Sequence, residues 1–397
     1  MNHLTGSPAR GASAPEVPAR DPHHRIADIE LLRGAAITMV VIEHLHLNLV
    51  VWRSGFLEAL SRCWQGWTGV DLFLAISGFV IGRSLLPTLI MEQGIGFLNR
   101  TLAFWTRRAW RLLPLAWLWL LIPLLASIVF NKSGAFGTVM ANYRNLIAAV
   151  LDVANFRIAE VFGKSPSGPT FPYWSLSLEE QFYLVLPLLI LVFRRRLPWV
   201  LGLLVVLQFV EPHVPLAMLT RTGALAVGVL LAFWSGTDAW RLCEPSSLRT
   251  KAAARFVTLV LPLLLLGAIG SEQVVSPTLA VGLVALVAGI LVWLASYDRD
   301  YLLHGVLPRR VILWLGSRSY AIYLIHIPAF AATREIWFRL SPAGTLFDGR
   351  FAWRFAVTAL VLVLGCSEVS HRLVEYPLRR RGVRIARQML GRIPSGC

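Results

Sequence analysis

"LLRGAAITMVVIEHLHLNLV", residues 31–50, is the first membrane-length apolar run in the chain, and its reading decides the fold. A helix needs roughly 20 apolar residues to cross a bilayer core of about 30 Å. This run has the length, yet it carries Arg33 near its start and Glu43, His44 and His46 further in. A central Arg costs about 2.5–3.5 kcal/mol on insertion scales, so such residues need a reason. Arg33 and His44 are eleven positions apart. At about 100° and 1.5 Å per residue they fall on one helix face, about 16 Å apart along the axis. Singly, Arg33 reads as a snorkelling side chain and His44 as a hydrogen-bonded packing residue. As an aligned pair they point to a polar path or a site.

The composition supports the membrane reading. The chain is 56% hydrophobic and only 15% charged, against about 25% charged in soluble domains. A net charge of +16 does not make it a nucleic-acid binder, because the basic residues punctuate apolar runs as loops between spans do. The expected fold is all-α, a polytopic membrane protein with about ten transmembrane helices. They lie near 31–51, 69–88, 111–130, 174–193, 197–211, 217–235, 255–270, 278–296, 311–331 and 351–371. Residues 139–156 form a weaker, amphipathic or re-entrant stretch. Ten spans put both termini on one side. The basic clusters "FRRRLP" (193–198) and "EYPLRRRG" (375–382) make that side the cytoplasm.

Residues 1–25 read as a disordered cytoplasmic tail, 26–382 as one membrane domain and 383–397 as a second cytoplasmic tail. No cleavable signal peptide is expected, since the first apolar run is of full span length. Cys63, Cys243, Cys366 and Cys397 are scattered and form no framework. His23 and His24 have no further ligands at metal spacing, so no metal site is expected.

Four further stretches break the apolar pattern. "GVDLFLAISGFVIGR" (69–83) places Asp71 near one end, Ser77 and Gly78 in the middle and Arg83 near the other. Small residues of this kind let helices approach closely. "FWTRRAWRLLP" (104–114) sets Arg108 and Arg111 three apart on one face. The pair either orients the protein or forms an anion site, because guanidinium forks grip phosphate bidentately. "PYWSLSLEEQFYLVLP" (172–187) brings Glu179 and Glu180 to a membrane entrance beside Trp174 and Tyr183. An aromatic belt accounts for the Trp and Tyr, not for the carboxylates. "LGSRSYAIYLIHIPAF" (315–330) holds His326. Alone, that residue reads as a packing histidine.

Taken in order, these stretches resemble the integral-membrane acyltransferase-3 family, which O-acylates carbohydrates and other extracytoplasmic acceptors. The family's Arg, ten residues, His element is matched by "RGAAITMVVIEH", and its second motif by "GVDLFLAISGFVI". Its paired arginines are matched by Arg108 and Arg111. "WSLSLEEQFYL", "SYAIYLIHIP" and the late "EYP" (375–377) complete the series. Glu43 and His46 are not part of that pattern, and the hydrolase-like domain of some relatives is not in this sequence.

The resemblance implies an acyl-CoA donor, acetyl-CoA foremost, used as a co-substrate from the cytoplasm, with no permanently bound cofactor. It implies a carbohydrate or glycolipid hydroxyl as acceptor and a bacterial inner membrane as location. Arg33, Arg108 and Arg111 are then the donor-binding residues. His44 is the base or the acyl carrier. Glu179 orients that histidine or binds the acceptor, with Asp71, Ser77, Tyr183 and His326 as supporting polar residues. The competing class is a transporter or flippase that uses the same charges as a proton or substrate path. A signalling or scaffold role would leave the polar residues unexplained. Acceptor identity, acyl length and oligomeric state are not readable from the residues.

Overall fold

A computed structural model describes residues 26–164, 168–210, 215–249, 252–303 and 306–391. The N-terminal tail with His23 and His24, and the last six residues of the C-terminal one, lie outside that range. Among the described residues the regular structure is all helix, with one isolated bridge between His46 and Val50 in place of any strand. The helices that shape the molecule are α1 (Ala27–Glu43), α2 (Thr68–Leu89), α3 (Gly94–Val129), α4 (Tyr173–Phe193) and α5 (Gly223–Trp234). They are followed by α6 (Pro277–Ser296), α7 (Val306–Ser317), α8 (Ser319–Leu340), α9 (Ala352–Ser370) and α10 (Tyr376–Gly391). Helix α1 sits centrally and packs against α2, α6, α7 and α8.

The expected spans fall largely on helix, with breaks at 221–222 and at the ends of 31–51 and 197–211, and residue 211 lies outside the described residues. Five continuous helical stretches among the described residues are long and apolar enough to cross a membrane: Thr68–Leu89, Gly94–Val129, Tyr173–Leu207, Pro277–Ser296 and Gly349–Gly391. A sixth arises if Gly223–Trp234 and Asp238–Leu248, bent by 96°, count as one span. The chain is an integral membrane protein, with fewer full-length crossings by this measure than the ten expected. The reason lies in the helix ends. α1 stops at Glu43 after 17 residues, because His46 turns extended and Leu47 takes a positive φ of 67°. The ninth expected span, 311–331, is split between α7 and α8 at Arg318.

Helix α3 departs the other way. It runs for 36 residues from Gly94, so Arg108 and Arg111 lie within a helix and not at a loop entrance. The 139–156 stretch resolves into two short helices, Val139–Val150 and Ala154–Val161.

Glycine sets the closest crossings. A Cβ on Gly78 would fall inside the Leu225 carbonyl, and one on Gly228 inside that of Ala75. α2 and α5 therefore meet backbone to backbone, the contact that small residues allow between membrane helices. Gly34 and Gly316 do the same for α1 and α7. Gly228→Val should cost about 1–3 kcal/mol through overpacking and lower the thermal midpoint in detergent. Gly365→Ala, where a Cβ would meet nothing within 4 Å, should leave that midpoint unchanged or raise it.

Candidate active site

The two ends of α1 open onto two cavities. Arg33 lines a small one, about 60 Å³, with Arg108, Arg111, Ser77, Glu179 and Tyr183. His44 lines a larger one, about 510 Å³, walled by Trp64, Trp67, Phe171, Trp174 and Arg221. Val70 and Tyr323 line both, so the cavities meet at these two side chains. The helical arithmetic that set Arg33 and His44 on one face therefore describes a helix reaching from one chamber to the other.

In the arginine cavity, cations gather without enough anions. Arg108 lies over the rings of Phe104 and Tyr183 at 5.7 and 5.1 Å. Neither Arg108 nor Arg111 has a hydrogen-bond or ion-pair partner among the described residues. The Nε atoms of Arg33 and Arg111 are buried and unbonded, and Arg33 reaches only Glu30, at 3.4 Å. Buried donors left open are costly, about 1–3 kcal/mol each. A polyanion entering here would satisfy them. Glu179 accepts from the hydroxyls of Ser77 and Tyr183. It is thus a member of this cavity and does not touch His44, the first of the two roles expected of it, because its position on α4 faces Ser77 of α2. Its neighbour Glu180 turns toward Asp152, whose carboxyl burial pushes up.

In the histidine cavity, His44 caps the C-terminus of α1, its backbone N–H bonded to the Val40 carbonyl. His326 Nε2 lies 3.0 Å from His44 Nδ1. The His44 ring meets Phe171 edge-on at 5.2 Å. Asp71 does not line the cavity. It holds Arg221 in a bidentate pair, both contacts 2.9 Å. The guanidinium lies over Trp67 at 4.7 Å and Trp174 at 5.1 Å. Asp71 and His326 thus each stand one layer behind a lining residue. Glu43 acquires an account as well: it accepts from the Gly66 N–H at 2.7 Å, tying the end of α1 to the loop before α2. His46 lines the same cavity.

Arg221 and Tyr323 escaped the sequence reading. Arg221 carried the same signal as Arg33, a cation in an apolar span, and Tyr323 lies three positions before His326. Trp174, read as an interfacial belt residue, stacks on Arg221 instead. No three His, Cys, Asp or Glu residues converge as a metal site among the described residues.

A family model described as "Acyltransferase domain" matches residues 26–367. The chain is 29% identical over 392 residues to the putative peptidoglycan O-acetyltransferase YrhL of Bacillus subtilis, covering 91% of this chain and 56% of that protein. It is 28% identical to the peptidoglycan O-acetyltransferase OatA of Listeria monocytogenes, covering 90% and 56%. The O-acetyltransferase OatA of Staphylococcus aureus is 24% identical, covering 88% and 57%. The chain thus spans a little over half the length of these curated relatives. No solved structure matches it.

Proposed function

The chain belongs to the acyltransferase-3 family, and from that premise we propose that it is an O-acyltransferase of the bacterial inner membrane. It moves an acyl group, acetyl foremost, from cytoplasmic acyl-CoA to a carbohydrate hydroxyl on the far side. The observation that carries this reading is the pair of cavities joined at Val70 and Tyr323 and spanned by α1. Coenzyme A is a polyanion, and Arg33, Arg108 and Arg111 supply open guanidinium donors for its phosphates. On this reading the arginine cavity and the termini face the cytoplasm, the side that the positive-inside rule favours. Trp64, Trp67 and Trp174 offer flat faces of the kind that sugar rings pack against. The names of the relatives supply the acceptor class, a cell-wall glycan such as peptidoglycan.

The transfer balances as follows. The acceptor oxygen bonds the acyl carbon while its proton passes to His44, and the carbon–sulfur bond breaks. The CoA thiolate leaves and takes the proton back. Carriage of the acyl group on His44 itself is the two-step form of the same chemistry.

The test is purified protein in liposomes with labelled acetyl-CoA and glycan fragments, reading CoA release coupled to ester formation. Arg108→Ala and Arg111→Ala should each raise the KM for acetyl-CoA about tenfold or more with kcat nearly unchanged, since a charged hydrogen bond contributes about 1.5–3 kcal/mol. Absence of CoA release with every acceptor offered would overturn the enzyme reading in favour of transport.

A further inference from the structure

We propose that His326 is the positioning residue of His44, holding it in the tautomer whose Nε2 is open to the tryptophan-walled cavity. This rests on the reading of His44 as the reactive base. The geometry of three atoms carries it. His326 is fully buried, and its Nδ1 lies 2.7 Å from the Tyr323 carbonyl and 3.2 Å from that of Ile322. A carbonyl oxygen can only accept, so His326 Nδ1 bears the hydrogen. In a neutral ring the opposite nitrogen, Nε2, is then a lone pair. At 3.0 Å from His44 Nδ1, that lone pair requires His44 to bear its hydrogen on Nδ1 and to donate it. His44 Nε2 is left bare.

The reverse assignment would need a positive ring on His326, buried against a second imidazole. No carboxylate hydrogen-bonds either ring among the described residues. An unpaired charge of that kind is expensive to bury. His44 Nε2 is not among the sealed, unbonded polar atoms, while His44 is half-buried and lines the cavity. The open lone pair thus belongs to the one nitrogen that an acceptor hydroxyl in the cavity could approach. The arrangement does for His44 what a carboxylate does in an acid–histidine pair: it selects tautomer and orientation. A neutral imidazole achieves this because two backbone carbonyls have already fixed its own tautomer. Phe330, edge-on at 5.9 Å, and Tyr323, tilted at 5.9 Å, hold the His326 ring in place.

The role separates from simple packing by two near-isosteric variants. His326→Gln keeps a side-chain oxygen that can accept from His44 Nδ1; His326→Met fills similar space and lacks it. With acetyl-CoA and glycan as substrates, His326→Met should lower kcat roughly 100-fold or more, with KM for acetyl-CoA within about threefold, since the arginine cavity is untouched. His326→Gln should recover at least about tenfold of that loss, measured against the same general-base contribution. Near-native kcat in His326→Met, or equal loss in both variants, overturns the proposal. Full activity in His44→Ala would instead sink the reading of His44 itself, so the two failures are distinguishable. Should either His326 variant fail to fold, ¹⁵N NMR of histidine-labelled wild-type protein decides directly. A His44 signal protonated at Nδ1 and bare at Nε2 is expected, and protonation at Nε2 overturns the proposal.

Discussion

His44→Ala is expected to lower acyl transfer by about 10²–10⁴-fold, the usual contribution of a positioned general base, while the protein still folds and inserts. The large kinetic effect follows from what stands around the ring. His44 is the residue that α1 delivers to the larger cavity, and His326 is hydrogen-bonded to it. No other titratable side chain touches His44 by a hydrogen bond among the described residues. The small structural effect follows from position. His44 is the cap of α1, past its last helical residue, and its side chain borders open space. Truncation therefore enlarges an existing cavity and leaves the core closed. Acetyl-CoA affinity should stay near its native value, because the arginines line the other chamber. Coupled CoA release and ester formation by the purified variant, with elution volume and thermal midpoint as fold controls, checks all three statements. Activity within tenfold of native would remove His44 from the mechanism.

The second large effect concerns stability. Arg221 and Asp71 are 150 residues apart in sequence and form a bidentate pair whose side chains are 4% and 1% exposed. Breaking a buried pair by removing one partner typically costs about 3–5 kcal/mol, because the other charge is left buried without compensation. Asp71→Ala should therefore sharply reduce the yield of monodisperse protein and its thermal midpoint. Removing both charges with residues of similar volume is often neutral, so Asp71→Leu combined with Arg221→Met should recover most of the lost stability. The double variant should still lose catalytic efficiency, since Trp67 and Trp174 would no longer be held against the guanidinium in the cavity wall. A single Asp71→Ala variant as stable as the native protein would show that the pair is no structural anchor.

The order of residues alone determined that the chain is all-helical and membrane-embedded. It also marked the motifs that carry the family resemblance, and set Arg33 and His44 on one face. These are local properties: apolar content decides partition into the bilayer, and a helix repeats every 3.6 residues whatever surrounds it. The aligned pair was therefore legible before any fold was known, as was the spacing of Arg108 and Arg111 on one face.

Tertiary structure decided the partners. Glu179 belongs with Ser77 and Tyr183 in the arginine cavity, and His326, 282 residues away, belongs with His44. Asp71 supports the wall of the larger cavity through Arg221, which the sequence reading passed over. Helix lengths were decided there too. α1 ends at Glu43 through a left-handed Leu47, and α3 continues far beyond its apolar window. The physical reason is common to all of these. A side chain's partner and a helix's stopping point depend on which backbones approach, and glycines such as Gly78 and Gly228 permit that approach only once the bundle has closed.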